Sequence, residues 1–262
     1  MIFLRSTLFN ILFYGATAVA CIVCLPTLLM PRKTAFAVVR AFVTCIRWLE
    51  KRIIGLDYEV RGSENLPESG AFIIAAKHQS PYETFKLHLL FDDPAIVLKR
   101  ELLKIPLWGL FLARIDPIAI DRGSPRQALA QMVEGARRVK AQGRPLVIFP
   151  QGTRVYAWQT AKDKPYKGGI SNIYEDTRMP VIPLALNSGL FWPRRSWIKY
   201  PGLVTLRFLP PIPPGMDART FMTVLEAQLE GASQELQNEA LEKFRHLPLP
   251  TRPAGIEQSA PS

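Results

Sequence analysis

The chain has 262 residues, 48% of them hydrophobic, and a formal net charge of +11. This length and composition allow one sizeable domain plus an appendage. About half of the excess positive charge lies in residues 1–51, beside apolar sequence, which favours an anionic membrane surface over nucleic acid. The sequence has no zinc-finger spacing, basic zipper or RNA-binding motif, so no nucleic-acid partner is expected.

The N-terminal segment is apolar. Residues 6–31 contain no charged residue and are long enough to cross a hydrocarbon core, which takes about 20 residues. A cleaved signal peptide is the competing interpretation, but the apolar run continues for ten residues beyond Ala20. The stronger basic flank follows the segment and predicts a cell-membrane protein whose main domain is on the cytoplasmic side. This flank comprises Arg32, Lys33, Arg40 and Arg47.

The stretch that follows is predicted to be a helix. Its basic residues Lys33, Arg40 and Arg47 recur every seven positions and form one stripe on an otherwise apolar surface. Such a helix lies in the lipid interface or is buried against the domain, and the sequence leaves both open. Two apolar helices, kinked near Pro26 and Pro31, could also dip into one leaflet without crossing the bilayer.

The three cysteines lie near the N-terminus, at Cys21, Cys24 and Cys45. Cys21 and Cys24 form a C-x-x-C inside an apolar run without strand context, so we interpret them as small hydrophobic residues rather than a redox pair. The rest of the chain has no cysteine, which excludes a disulfide framework there and fits a reducing compartment.

Short β-rich runs then alternate with helical stretches. Strands are predicted at Tyr58–Arg61, Ala71–Ala76, Ala95–Leu98, Ile115–Ile120, Leu146–Phe149, Val181–Leu186 and Val204–Leu209. Helices are predicted around residues 84–91, 125–142, 168–178 and 218–243. Strands that are apolar on both faces indicate a sheet covered by helices on both sides. The predicted fold is therefore α/β, a single domain with a mostly seven-stranded central sheet flanked by helices.

Three parts of the chain are assigned on this basis. Residues 1–51 are N-terminal membrane helices and residues 52–246 form the α/β domain. Residues 247–262 are rich in proline, serine and alanine and lack periodicity, so they are predicted to be a disordered tail.

The segment K-H-Q-S-P-Y-E, residues 77–83, follows a predicted strand. Ser80, Pro81 and Glu83 have the spacing of a capping box at a helix start. Alternatively, His78 could take a proton from a substrate hydroxyl while Glu83 holds its other ring nitrogen. Five positions on a continuous helix would separate the two side chains by roughly 140°. The two can therefore meet only if the chain turns between them, and Ser80-Pro81 supplies such a turn.

Other catalytic chemistry finds no support in the sequence. There is no G-x-S-x-G motif and no cysteine placed beside a histidine. His88 and His246 have no partners at metal-ligand spacing, so no metal and no cofactor is predicted. His88 is interpreted as a surface or packing histidine.

Further candidates for binding lie where other predicted strands end. The tight loop at residues 152–154 offers backbone N–H groups and a guanidinium that could cradle a phosphate, and similar cations end two other strands. Solvated surface charge is the alternative for each of them alone. The candidates are Lys99, Arg100, Arg122, Gly152, Thr153 and Arg154.

Four motifs occur in the order H-Q-S-x-x-E, I-D-R, F-P-Q-G-T-R and V-I-P-L-A-L-N-S-G, behind the apolar segment. Together they resemble the lysophosphatidic acid acyltransferase family over roughly residues 32–215. The resemblance implies transfer of a fatty acyl group from acyl-CoA or acyl carrier protein to the free hydroxyl of a membrane lysophospholipid. With 1-acyl-glycerol-3-phosphate as acceptor, the product is phosphatidic acid.

The resemblance also implies roles for residues. It makes His78 the catalytic base and Glu83 its carboxylate partner. It makes Arg122 and Arg154 the phosphate-binding arginines, with Lys99 as a helper.

Two positions depart from the family's pattern. Glu83 replaces an aspartate and keeps the charge on a side chain one methylene longer. Gln151 replaces a glutamate and removes a charge, so its predicted role in substrate binding is hydrogen bonding. Three alternatives stay open: an acyltransferase for another lyso-lipid such as lyso-ornithine lipid, a non-catalytic membrane lipid-binding relative, and a membrane-anchored nucleic-acid binder.

Overall fold

The computed structural model describes residues 1–251. Its strands are β1 Leu56–Arg61, β2 Ile73–Ala76, β3 Ala95–Lys99, β4 Ile118–Ile120, β5 Leu146–Ile148, β6 Val181–Leu186 and β7 Gly202–Phe208. Its α-helices are α1 Ile2–Val23, α2 Arg32–Leu49, α3 Pro81–Leu90, α4 Trp108–Arg114, α5 Pro125–Ala141, α6 Gly169–Thr177, α7 Ser188–Phe191 and α8 Ala218–Lys243. Leu25–Leu29, Ser63–Asn65 and Arg100–Lys104 are 3₁₀ turns, and Glu50–Ile54 is a π-helical turn.

The seven strands form one mixed sheet in the order β1-β7-β6-β2-β5-β3-β4, which confirms the predicted α/β class and strand number. Every neighbouring pair is parallel except β6 and β7. The strands β2, β5, β3 and β4 are therefore parallel neighbours, and their carboxyl ends meet at one edge of the sheet.

Both faces of the sheet are buried, as the apolar strands predicted. In β2, Ile73 and Ile74 point to opposite faces and neither is exposed to solvent. Ile74 packs in a cluster with Phe9 of α1 and Tyr82 of α3. Ile73 packs in a second cluster that includes Phe221 of α8, and α5 and α6 also contribute to this cluster.

The region between β3 and β4 differs from the prediction. Trp108–Arg114 forms α4, which the sequence reading missed. The strand predicted at Ile115–Ile120 begins only at Ile118, because Ile115 caps α4 and Asp116 has a φ of 54°, outside the extended region. The helix predicted from residue 84 begins at Pro81, where the capping signal stood.

The first half of α1 is packed onto the domain. The Ser6 hydroxyl accepts a hydrogen bond from the Lys199 N–H at 2.9 Å, and Asn10 donates its side-chain amide to the Trp197 carbonyl at 3.0 Å. Phe9, which lies between Ser6 and Asn10 in the chain, is buried. By length and composition α1 is nevertheless apolar enough to cross a membrane.

The helix α2 is docked against the domain through its basic residues. Arg32 forms an ion pair with Asp93, and Arg40 forms one with Asp92. Arg47 pairs with Asp57 at 3.2 Å, and apolar residues of the same helix are buried. This helix therefore lies against the domain, which is one of the arrangements that the sequence left open.

The cysteines and the C-terminal segment complete the fold. Cys21, Cys24 and Cys45 are free thiols. Leu247, the first residue of the predicted tail, is buried in the core cluster that includes Ile74. The part of that prediction that concerns residues 252–262 lies outside the described residues.

Candidate active site

His78 and Glu83 form a hydrogen-bonded pair in the turn between β2 and α3. The His78 Nδ1 atom lies 2.8 Å from the Glu83 Oε1 atom. An ionised carboxylate only accepts hydrogen bonds, so Nδ1 is the donor and carries the proton. The Nε2 atom of the same ring is then an acceptor, ready to receive a proton.

The same carboxylate also caps α3. Its Oε1 atom accepts the backbone N–H groups of Gln79 and Ser80, each at 2.8 Å. The Ser80 hydroxyl accepts the Tyr82 N–H at 3.2 Å, which completes the capping box. The cap and the histidine pair are therefore not alternatives, because the cap fixes the orientation of the carboxylate that holds the imidazole.

Ser188 holds the second oxygen of Glu83. Its hydroxyl donates to Oε2 at 2.7 Å, and the Glu83 side chain is fully buried. Four donors thus surround one carboxylate and fix its orientation. Ser188 lies in the N-S-G motif, but the sequence predicted no role for it. The available signal was its position just after β6, the neighbour of β2.

The F-P-Q-G-T-R loop packs directly on His78. The Phe149 and His78 rings are stacked with their centroids 4.0 Å apart, and the Val155 N–H donates to the His78 carbonyl at 2.7 Å. Gly152 closes the turn by donating its N–H to the Phe149 carbonyl at 2.8 Å. Its φ of 69° lies in the left-handed region, which glycine enters without a steric cost.

His78 lines a cavity of about 750 Å³ at the carboxyl edge of β2, β5, β3 and β4, which we call the site cavity. Most of its wall is apolar and extends from the hydrogen-bonded pair of His78 and Glu83, which we call the dyad, toward α4, α5 and α6. The apolar wall includes Ile96, Leu98, Leu112, Ile115, Ile120, Leu129, Met132 and Ile170.

Cations also line the site cavity. Arg122 follows β4, Arg154 follows β5 and Lys167 precedes α6, and within residues 1–251 none of the three makes an ion pair. Lys99, at the end of β3, also lines the cavity but is paired with Glu101 at 2.9 Å. Gly152 and Thr153, for which the sequence predicts a role in substrate binding, also line the cavity. Lys167 was missed by the sequence reading because it belongs to no strand end or motif.

Two predicted binding residues lie elsewhere in the described structure. Arg100 begins the exposed 3₁₀ turn after β3 and is not part of the site-cavity wall. Gln151 is buried and donates its side-chain amide to the Lys164 carbonyl at 3.2 Å, which fastens the loop. A neutral amide suits this place because a buried carboxylate would need a counter-charge.

His88 lies on the cavity wall and is not the surface histidine that the sequence allowed; it is 6% exposed. Burial lowers the pKa of His88 to about 4, against a smaller opposing effect of Asp93. The pKa of a histidine in the unfolded chain is about 6.5. Between about pH 6.5 and pH 4, His88 is therefore protonated in the unfolded chain but neutral in the folded chain.

We expect the free energy of unfolding to fall as the pH drops from about 6.5 to about 4, by roughly 3 kcal/mol from this group. The His88→Phe variant should lack this contribution, while a variant of the exposed His246 should retain it. Urea unfolding in detergent micelles, repeated at several pH values between about 4 and about 6.5, measures the free energy of unfolding of each protein. Parallel pH profiles for the wild type and the His88→Phe variant would contradict a buried neutral His88.

Comparison with known proteins identifies the family. The acyltransferase family model matches residues 57–187, half of the chain, and this range contains most of β1, the strands β2 to β6 and the His78–Glu83 pair. The chain belongs to the acyltransferase family. All the site residues predicted from the sequence fall within the matched range.

Individual acyltransferases resemble the chain over a similar range. A 1-acyl-sn-glycerol-3-phosphate acyltransferase of Pseudomonas aeruginosa is 42% identical over 157 residues, 60% of each chain. One from Saccharomyces cerevisiae is 29% identical over 64% of this chain and 55% of its own length. The human alpha enzyme is 27% identical over 62% of this chain and 57% of its own length. The chain thus matches less than two thirds of the length of these relatives.

A solved structure shows the same fold. The crystal structure of the 1-acyl-sn-glycerophosphate acyltransferase from Thermotoga maritima matches with a TM-score of 0.72 and 22% identity, covering 90% of this chain and 98% of that one. The structural match therefore extends beyond residues 57–187 to most of the chain.

Proposed function

We propose that this acyltransferase moves a fatty acyl group from acyl-CoA or acyl carrier protein to the free hydroxyl of 1-acyl-glycerol-3-phosphate, giving phosphatidic acid. One observation carries the proposal. A histidine oriented by a buried carboxylate opens into a largely apolar cavity, which is also lined by three cations that make no ion pair within residues 1–251. The activities of the similar 1-acyl-sn-glycerol-3-phosphate acyltransferases support the same acceptor.

His78 acts as the general base. Its Nε2 atom takes the proton from the acceptor hydroxyl as the oxygen attacks the thioester carbonyl, and the imidazolium then gives the proton to the leaving thiolate. Glu83 stabilises the imidazolium through the Nδ1 hydrogen bond, and Ser188 and the capping N–H groups keep the carboxylate in place.

Backbone donors in the loop after β5 are suited to the tetrahedral intermediate. Within the described residues, the N–H groups of Thr153 and Arg154 make no hydrogen bond, although the neighbouring N–H groups of Gly152 and Val155 do. Free donors beside the base are the arrangement that stabilises an oxyanion.

The unpaired cations bind the acceptor's phosphate, and the apolar wall holds the hydrocarbon. A phosphate accepts charge-assisted hydrogen bonds from Arg122, Arg154 and Lys167, which otherwise lack acidic partners in residues 1–251. An acyl chain gains from burial against the apolar wall because apolar area leaves water.

Membrane association follows from the exposed apolar surface. Large apolar side chains are exposed on α1, on the turn that follows it and around α4. They include Leu4, Ile11, Val23, Leu29, Leu102, Ile105 and Leu110. Because the first half of α1 is packed onto the domain, we propose that α1 and α2 dip into one leaflet, with the domain on the cytoplasmic side.

Replacing Arg122 or Arg154 with alanine is expected to raise KM for lysophosphatidate by about tenfold or more, because a bound phosphate loses a charged partner. The turnover number should change less, since these cations hold the acceptor before and during reaction. Steady-state kinetics with the purified protein in lipid vesicles measure both values. An exposed cation away from the cavity, Arg137, provides the matched control.

The acceptor itself is tested with labelled acyl-CoA, labelled acyl carrier protein and a panel of lyso-lipids. Preferred use of lysophosphatidate supports the proposal. Equal or better use of lyso-ornithine lipid, which lacks a phosphate, would show that the alternative acceptor is correct. The absence of transfer to every acceptor would leave the non-catalytic alternative.

A further inference from the structure

His88 is buried at the junction of two cavities without a hydrogen-bond partner. Besides the site cavity, it lines a smaller apolar cavity of about 80 Å³ between α1, α2, α3 and α4. Its Nδ1 atom is buried, and neither ring nitrogen makes a hydrogen bond within residues 1–251. Because the pKa of His88 is lowered by burial, the ring is neutral near pH 7 and offers one donor and one acceptor.

Thr84 is a second polar residue on the cavity wall, and it lies between His88 and the start of α3. It stands four residues before His88, on the same face of α3, and lines both cavities. Its hydroxyl makes no hydrogen bond with any described residue. Thr84 and His88 therefore form a polar stripe among the apolar residues that α3 and α4 contribute to the cavity wall.

The stripe is far from the reacting atoms. At a rise of 1.5 Å per residue, His88 stands roughly 10 Å along the helix axis from Pro81, at the start of α3 beside the dyad. The thioester and the acceptor hydroxyl must lie at His78. A group that reaches His88 therefore belongs to the middle of a bound chain.

We propose that Thr84 and His88 form a subsite for an oxygen-bearing group, such as a hydroxyl, part-way along an acyl chain held in the site cavity. A plain hydrocarbon leaves both ring nitrogens without a partner, whereas a hydroxyl can donate to the unprotonated nitrogen or accept from the protonated one. The inference rests on the proposed acyl transfer and names hydroxylated acyl chains as a preferred substrate class.

Kinetics with matched chains test this subsite. The full-length protein in lipid vesicles is given octadecanoyl-CoA with and without a mid-chain hydroxyl, and separately a lysophosphatidate whose own chain does or does not carry that hydroxyl. We expect kcat/KM to be about tenfold higher for the hydroxylated chain, equivalent to about 1.4 kcal/mol. The arm that shows the preference identifies whether the donor or the acceptor chain occupies the subsite.

Variants of His88 test whether this residue causes the preference for hydroxylated chains. His88→Phe keeps the ring shape and should abolish the preference, whereas His88→Gln keeps a donor and an acceptor and should retain it. His246→Phe, a change at an exposed histidine, should leave it unchanged. An equal ratio of the two kcat/KM values in the wild type, or a preference that persists in His88→Phe, would overturn the inference.

A binding measurement separates this inference from the proposed function. Displacement of a fluorescent fatty acid by plain and hydroxylated fatty acids needs no turnover. If no acyl transfer occurs with any donor but the hydroxylated acid still binds about tenfold more tightly and His88→Phe removes the difference, the subsite stands and the proposed function fails. If both acids bind equally, the subsite fails.

Discussion

Replacing His78 with alanine is expected to lower the turnover number for acyl transfer by about a thousandfold, since a positioned general base contributes roughly 10²–10⁴. The acceptor hydroxyl would then attack without a base at Nε2, while its phosphate could still bind the cations. KM for the acceptor should therefore change little. The measurement is single-turnover transfer of a labelled acyl group in lipid vesicles.

The fold should survive this change. Without the imidazole, Glu83 keeps three of its four donors, from Gln79, Ser80 and Ser188. The unfolding transition of the variant should accordingly stay near that of the wild type, and His246→Ala serves as the matched control for loss of a histidine. Turnover equal to that of the wild type would remove His78 from the mechanism.

Disrupting the buried ion pair between Lys86 and Glu50 is expected to have the largest effect on stability. Neither side chain is exposed, and the Lys86 ammonium also lies over the Tyr82 ring, 4.2 Å from its centroid. Removing one member leaves the other charge buried without a partner, which costs about 3–5 kcal/mol. We therefore expect Lys86→Met to lower the free energy of unfolding by that amount.

The pH dependence of this variant distinguishes an unpaired charge from simple loss of packing. Burial raises the pKa of Glu50 to about 7 even in the presence of Lys86. A raised carboxyl pKa means that the folded state holds the proton more tightly, so this group's contribution to stability is lost as the pH rises through the folded pKa. Without Lys86 the pKa should rise further, and the deficit of Lys86→Met should shrink when the pH is lowered from 8 to about 5.

Two comparisons make the stability test specific. Asp176→Ala removes an exposed ion pair with Arg137 and should change the free energy of unfolding by less than about 1 kcal/mol. The double change Glu50→Leu with Lys86→Leu removes both charges and should recover much of the loss. A deficit in Lys86→Met that is independent of pH would show that packing, not charge, is responsible.

The same ion pair links the N-terminal helices to the site. Glu50 begins the π-helical turn after α2, and Lys86 lies on α3 one turn after Glu83. The pair thus fixes the helix whose first turn carries Glu83. Its loss should reduce turnover in Lys86→Met even at temperatures where the protein remains folded.

Local patterns in the sequence determined most of the fold elements and the central pair of the site. Strands such as β2 and β6 are apolar on both faces, which only a sheet covered on both sides accommodates. The S-x-x-E spacing predicted the helix start, and the turn at Ser80-Pro81 predicted that His78 and Glu83 could meet. These features depend on residues close together in the chain, so short-range rules suffice.

The tertiary structure decided what depends on the order of strands and on contacts between distant segments. The order β2-β5-β3-β4 brings His78, Arg154, Lys99 and Arg122 to one edge, although the chain visits these strands in a different order. Long-range packing also decided that Ser188 holds Glu83, and it placed Arg100 and Gln151 away from the cavity. Strand order and docking minimise the free energy of the whole domain, so no single segment encodes them.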